Sequence, residues 1–276
     1  SSLDTGDHVR CMVLGRFTQT VSVVDILSHP EIVVDLEPAC LRLVGTICMH
    51  FVYAAASFHF RVDEMQQIRH IFLTHSHLDH ISSIPFLLDS IFDHIEEPIV
   101  IHGQDATLQA LRNHIFNNII WPDFAILPNH ANPVMRYQVM EPGQIVEVAD
   151  LRIEMIPVNH VVPAVGYRVE TRNKVFAFSG DTSTNDTFWQ VLNKYDQLDV
   201  LIVEAAFPNH DIELCRRAGH YCPQLLAEDI VKLRHQPDIY ISHNKPGDED
   251  EIFRECQEAI TSHTVHQLST GTKFTL

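Results

Sequence analysis

Basic residues are scarce in this chain. Nineteen Lys and Arg stand against 36 Asp and Glu, a formal net charge of −17 over 276 residues. A surface of that sign lacks the Lys/Arg patches that grip a phosphate backbone, which argues against broad nucleic-acid binding. A small anionic substrate stays open, because bound metal ions can supply local positive charge. Cysteine is also sparse. Cys11, Cys40, Cys48, Cys215, Cys222 and Cys256 form no C-x-x-C pair, which speaks against a disulfide scaffold and for a reducing cytoplasm. The opening residues lack the basic-then-apolar pattern of a signal peptide. No Gly/Ser-rich or Pro-rich linker and no repeat divides the sequence. At 45% apolar residues, one domain over 1–276 is expected.

Charge is missing altogether from Leu43 to Phe60, eighteen residues without Asp, Glu, Lys or Arg. That length borders on a membrane span, but Gly45, Thr46, His50, Ser57 and His59 dilute its hydrophobicity. The expectation is a buried or interface helix (Ala39–Phe60) in an atypical apolar segment at about 39–62. Membrane association and a histidine-lined ligand pocket are the alternatives. An uncharged helical face must be covered by something, and a homodimer contact would do so.

What the chain does have is histidine, nineteen in all, and their densest cluster is His75-Ser76-His77-Leu78-Asp79-His80. It follows the apolar run Ile71-Phe72-Leu73-Thr74. Extended backbone alternates its side chains, so His75 and His77 share a side. A helix starting just afterwards brings Asp79 and His80 to a second point nearby. Two ligand pairs a few ångströms apart suit two metal ions better than one.

Strands are expected at Val9–Leu14, Val21–Ile26, Glu31–Asp35, His70–Thr74, Pro98–His102, Leu151–Pro157, Ala164–Glu170, Lys174–Ser179, Val200–Glu204 and Ile239–Ser242. Besides Ala39–Phe60, helices are expected at His80–Ile95, Asp105–Asn117, Thr184–Asn193, Pro223–Arg234 and Asp248–Ala259. Strands interleaved with helices predict an α/β sandwich of two sheets with helices outside. Further ligand candidates sit at strand ends: His160, Asp181 and His243. With the hexapeptide they make seven ligands, enough for two metals sharing one carboxylate.

These residues resemble the metallo-β-lactamase superfamily, and within it the class II cyclic-nucleotide phosphodiesterases and their ribonuclease Z-like relatives. The carrying stretches are His75–Ile81, His114–Phe124 with its Trp121-Pro122-Asp123, Phe178-Ser179-Gly180-Asp181-Thr182, Val203–Phe207, Ala218-Gly219-His220, and Ser242-His243-Asn244-Lys245-Pro246-Gly247. The resemblance covers roughly Gln67 to Cys256. It implies an αββα sandwich of two mixed β-sheets with outer helices. It also implies one metal on His75, His77, His160 and Asp181, and a second on Asp79, His80, Asp181 and His243, with Asp181 bridging. Zinc is the family-level expectation, and the ligand set also suits Mn or Fe.

The implied reaction is hydrolysis of a phosphodiester, foremost a 3',5'-cyclic nucleotide (cAMP or cGMP) to the 5'-nucleoside monophosphate. Water between two cations is acidified; Asp79 would orient it or take its proton. His220, held by Glu204, would protonate the departing ribose oxygen. Asn159, Asn244 and Lys245 are candidates for contacts to phosphate. The sequence departs from the family on the rim. The first turn, Gly15–Thr20, has one glycine; an expected Asp-Ala-Gly turn reads Asp35-Leu36-Glu37-Pro38; and the uncharged segment stands where a short polar connection is expected. These departures bear on the substrate more than on metal binding.

Three other functions compete. A tRNA-processing endonuclease would want a basic flexible arm, yet Gly103–Asp150 holds only Arg112 and Arg136 and no lysine. A di-iron site could instead sense oxygen or redox state. A thioesterase or lactonase would use the same metals on another bond.

Overall fold

The computed structural model describes residues 10–14, 33–35, 43–44, 65–66, 68–268 and 273–275. The chain opens with strands β1 (Arg10–Leu14), β2 (Val33–Asp35), β3 (Leu43–Val44) and β4 (Ile68–Leu73). Helices α1 (Leu78–Ile81) and α2 (Ser83–Ser90), β5 (Ile99–Gly103), α3 (Asp105–His114) and β6 (Met135–Val139) follow. A run of strands comes next: β7 (Ile145–Val148), β8 (Leu151–Val158), β9 (Ala164–Glu170) and β10 (Val175–Phe178). The rest is α4 (Thr187–Leu192), β11 (Val200–Glu204), α5 (Ile212–Ala218), α6 (Pro223–Ile230), β12 (Asp238–Ser242), α7 (Glu249–Ala259), β13 (Val265–Gln267) and β14 (Lys273–Thr275).

Two principal sheets result. One runs β1-β4-β5-β6, the other β13-β12-β11-β10-β9-β8-β7; a short third runs β14-β2-β3. The seven-stranded sheet is mixed, parallel from β13 to β10 and antiparallel from β10 to β7. Among the described residues the four-stranded sheet is parallel throughout, where a mixed sheet was expected.

Side-chain alternation explains how the sheets stack. In β9, Val165, Tyr167 and Val169 point into a layer shared with Phe72, Met155, Phe176 and Ile202. That layer joins the two sheets. The Tyr167 hydroxyl crosses it and donates to the Leu73 carbonyl at 2.7 Å. The opposite faces carry their own cores. Ile71, Leu73, Ile99 and Ile101 pack with Ile84, Leu88, Leu108 and Leu111 of α2 and α3. Val175, Leu201, Val203 and Ile241 pack with Trp189, Leu225, Leu226, Ile252 and Cys256 of α4, α6 and α7. The α/β, αββα expectation holds.

Several expectations need correction. Leu43 and Val44 pair antiparallel with Val34 and Val33 as a strand, not as the start of a helix over Ala39–Phe60; the strand preference of Val and the ladder hydrogen bonds prevail there. The rest of that segment, the expected strand Val21–Ile26, and the turns at Gly15–Thr20 and Leu36–Pro38 lie outside the described residues. The helix expected over His80–Ile95 is broken into α1, α2 and a 3-10 turn at Phe92–His94. Strands β6 and β7 and helix α5 were not foreseen. No helix among the described residues is long and apolar enough to cross a membrane.

Candidate metal centre

The strand ends of both sheets meet at one edge of the sandwich. After β4 the chain runs extended through Thr74 to His77 and turns into α1, whose first turn carries Asp79 and His80. The Thr74 carbonyl accepts from Val165 N at 3.0 Å, which seats this loop on the second sheet. Asp181 follows Gly180 at the end of β10. Gly180 has φ of +60°, and a Cβ there would lie 2.9 Å from Thr74 Cγ2 and from the Val165 carbonyl. Glycine is therefore required for the two sheets to close at this point. His243 follows β12 in the left-handed region at φ +60°, a conformation rare for a residue with a side chain.

The predicted ligands converge. One nitrogen each from His75, His77 and His160 and one Asp181 oxygen lie within 4.8 Å of one another, as do the ligand atoms of Asp79, His80 and His243. Asp181 joins the two groups. Its Oδ2 is 3.2 Å from His80 Nε2, 3.2 Å from His243 Nε2 and 3.6 Å from His75 Nε2. His75, His80, Asp181 and His243 are buried, and His77, Asp79 and His160 are partly so.

Protonation states fit cation binding. Burial and the neighbouring His80 hold His75 neutral, far below the ordinary imidazole range; burial also lowers His77 and His160. Burial opposes the charge on Asp181, but His243 and His80 outweigh it and hold the carboxyl well below its ordinary value. Neutral His75, His77 and His160 and an ionised Asp181 are forms that bind metal. Hydrogen bonding points the same way. His160 Nδ1 donates to the Gly219 carbonyl at 2.8 Å, so in the neutral ring Nε2 carries the lone pair, and it faces His77 Nδ1 at 3.2 Å. The Nε2 atoms of His75 and His80 are buried without a hydrogen bond. Buried polar atoms without a hydrogen-bond partner are costly unless satisfied. The donor set suits divalent cations and does not choose among zinc, manganese and iron.

Beside this cluster lies a second pair. Glu204 ends β11, and its side chain is 1% exposed. Oε1 accepts from His220 Nδ1 at 2.8 Å and Thr182 N at 2.7 Å; Oε2 accepts from the Ala206 and Tyr221 amides, each at 3.2 Å. The carboxylate is thus fixed from four directions. The His220 ring stacks on His243 at 5.2 Å and meets the His160 ring edge-on at 4.9 Å. Burial opposes charge on His220, but Glu204 overcomes it and raises the imidazole to about 9. Burial pushes Glu204 up to about 7. Between those values the pair is an imidazolium on a carboxylate.

The remaining candidates fall elsewhere. The Asn159 side chain donates to the Thr184 carbonyl and that of Asn244 to the Ala205 carbonyl, both at 2.9 Å, so both amides are engaged by backbone. Lys245 is exposed, with Nζ 4.9 Å from the centre of the Phe207 ring. Trp121 packs against Phe86 of α2 at 5.2 Å. His50 and His59 lie outside the described residues.

Sequence reasoning named Gly219 within Ala218-Gly219-His220 but gave it no role. It caps α5 at φ +74°, and its carbonyl sets the His160 tautomer. The signal was there: a glycine after Arg216-Arg217-Ala218 marks a helix C-cap.

The chain matches the beta-lactamase superfamily domain over residues 48–243. It is 31% identical over 206 residues to a probable 3',5'-cyclic-nucleotide phosphodiesterase of Yersinia pestis, covering 66% of this chain and 58% of that protein. It is 25% identical over 253 residues to a 3',5'-cyclic-nucleotide phosphodiesterase of Schizosaccharomyces pombe, covering 84% and 66% respectively. The chain thus spans less than two thirds of the length of either relative. Among solved structures, unliganded yeast PDE1 superposes with a TM-score of 0.66 at 20% identity, over 76% of this chain and 69% of the other. On this match and this fold, the chain belongs to the metallo-β-lactamase superfamily and within it resembles the class II cyclic-nucleotide phosphodiesterases.

Proposed function

We propose that this protein is a binuclear metallohydrolase that cleaves 3',5'-cyclic nucleotides to 5'-nucleoside monophosphates. The observation that carries the reading is the Glu204–His220 pair beside the ligand cluster. A metal site alone serves many reactions; a buried carboxylate holding an imidazole against that site adds a proton donor for a poor leaving group.

His75, His77, His160 and Asp181 would hold one cation, and Asp79, His80, Asp181 and His243 the other, with zinc the first choice. When bound, the cations would supply Lewis acidity, offsetting charge on the phosphoryl oxygens and lowering the pKa of water. The residues do the rest. Asp79, half-buried at the start of α1, takes the proton of the attacking water. Glu204 accepts from Nδ1 of His220, which leaves Nε2–H to protonate the ribose oxygen as its bond to phosphorus breaks. Gly219 keeps the His160 lone pair turned toward the cluster.

The endonuclease reading loses ground because Arg112 already lies over the Tyr137 ring, 4.4 Å from its centre, leaving Arg136 to form a basic arm in Gly103–Asp150. The di-iron sensor reading gives no role to a buried Glu204–His220 pair. A cytoplasmic location accords with the free buried thiols Cys215, Cys222 and Cys256, and a homodimer through the uncharged segment remains part of the proposal.

The test is turnover of cAMP, cGMP and a chromogenic phosphodiester by Zn-, Mn- and Fe-loaded protein. The expected result is a 5'-nucleotide product with zinc or manganese in a colourless protein. A coloured iron protein that turns over none of the three would support the sensor instead.

A further inference from the structure

Asp229 is a buried carboxylate that the proposed chemistry leaves unused. It lies near the end of α6 with its side chain 6% exposed. Its Oδ2 accepts from the Tyr221 hydroxyl at 2.6 Å, the Asn185 amide at 2.9 Å and Trp189 Nε1 at 3.3 Å, and its Oδ1 accepts from Lys232 Nζ at 2.8 Å. Burial opposes its charge, but Lys232 and Tyr221 outweigh it and hold the carboxyl below its ordinary value. Two of these donors lead back to the metal centre. Tyr221 is fully buried, and its backbone amide donates to Glu204 Oε2 at 3.2 Å, on the carboxylate that holds His220. Asn185 closes the loop that begins at Asp181, and its side chain donates to Thr182 Oγ1 at 3.0 Å and to the Ser183 carbonyl at 3.1 Å. Thr182 N in turn donates to Glu204 Oε1 at 2.7 Å. One segment carries the proposed acid and the other the bridging carboxylate. They are tied twice, by Glu204 beside the ligands and by Asp229 further along each segment.

A carboxylate sunk in a protein costs free energy that an apolar side chain of similar size would not, so its net contribution to stability is small. What it adds is direction, because donors from the 181–185 loop, from α4 and from the 219–222 turn must meet one oxygen. Resting on the assignment of His220 as general acid, we infer that Tyr221 and Asp229 are positioning residues for that acid. Their hydroxyl–carboxylate bond holds the 219–222 turn against the 181–185 loop, and so sets where the His220 ring stands relative to Asp181. Neither residue touches the reacting atoms; both act through His220. Asp181 keeps its own contacts to His75, His80 and His243. Loosening the outer tie therefore displaces the acid rather than the ligands.

The test uses Tyr221→Phe, which removes one hydroxyl and leaves the ring in its place in the core. The zinc-loaded protein is assayed on cAMP, whose leaving oxygen needs a proton, and on methyl p-nitrophenyl phosphate, whose leaving group does not. Metal content and unfolding midpoint are measured on each variant. The expected result in Tyr221→Phe is a fall in kcat for cAMP of at least about tenfold, with KM within about twofold, and a fall for the small ester of less than about threefold. Asp229→Asn keeps an oxygen for the Tyr221 hydroxyl and should hold both rates within about threefold of wild type. In a His220→Ala background, Tyr221→Phe should change cAMP turnover by less than about twofold, because the group it positions is gone. Wild-type cAMP turnover in Tyr221→Phe overturns the inference. So do equal losses on the two esters, or the same loss with and without His220, which a purely structural role would give. Each of these leaves the phosphodiesterase reading standing. A wild type that cleaves neither ester overturns the parent reading, and the positioning role with it.

Discussion

His220 carries the most specific chemical assignment. Its Nδ1 is fixed on Glu204, and its ring lies against His160 and His243. As general acid it matters only where the leaving group needs a proton. His220→Ala should cut turnover of cAMP at least about a hundredfold and that of a p-nitrophenyl ester by less than about fivefold, because p-nitrophenolate leaves unprotonated. Equal losses on both substrates would remove His220 from that role. The pH profile carries the same information. Glu204 raises His220 to about 9, so the acid is present below that value and lost above it, and cAMP turnover should fall on the alkaline side. Removing the carboxylate charge in Glu204→Gln lowers the imidazole pKa, and the alkaline limb should move to lower pH. A limb that stays in place would mean it reports some other group. At this scale the sequence was highly legible. His75, His77, Asp79, His80, His160, Asp181, His243, Glu204 and His220 are all brought to one edge. Asn159 and Asn244 were less legible, because an amide next to a ligand reads the same whether it faces substrate or, as in the bonds seen here, a backbone carbonyl.

The elements that deliver these side chains are strand ends and short turns, and two of those turns depend on glycine. Gly219 has φ of +74°, and a Cβ there would sit 3.0 Å from Val161 Cγ1 and 3.2 Å from His160 Nδ1. Gly219→Ala therefore meets the left-handed backbone penalty, roughly 1–2 kcal/mol, and presses on His160 at the same time. The expected outcome is a drop in thermal stability together with weaker metal affinity, read by competition with a chromophoric chelator. A variant with wild-type metal affinity would show that the His160 contact with Gly219 is dispensable. Element boundaries explain where the sequence reading stopped. β8 to β12 were found because they are buried on both faces or nearly so. β6 and β7 were missed because they alternate or are exposed: Arg136, Gln138, Ile145 and Glu147 face water, and short half-polar strands resemble loops. The uncharged run Leu43–Phe60 was read as part of one helix from Ala39 on its lack of charge, and absence of charge does not distinguish helix from strand, as Leu43 and Val44 show.

For the whole molecule, the sandwich is bridged at its edge by a cluster of buried imidazoles around one carboxylate. Both sheets contribute: His75, His77, Asp79 and His80 follow β4 of the first, and His160, Asp181 and His243 follow strands of the second. A cation held there ties the sheets together and should stabilise the folded state by mass action. At a free metal concentration about a hundredfold above Kd, the gain is about 2.7 kcal/mol. Zinc or manganese should raise the unfolding midpoint of metal-free protein by several degrees, and chelator should reverse it. No shift would argue that the cluster does not hold metal in solution.

The most direct test of the two-metal phosphodiesterase account is cAMP turnover by Asp79→Ala and His80→Ala, each assayed with saturating zinc or manganese. Both residues belong to the second ligand group, and neither is needed to form the first. The account predicts a loss of at least about a hundredfold in kcat for either variant, with 5'-AMP as the wild-type product. Near-normal turnover in either variant would contradict it.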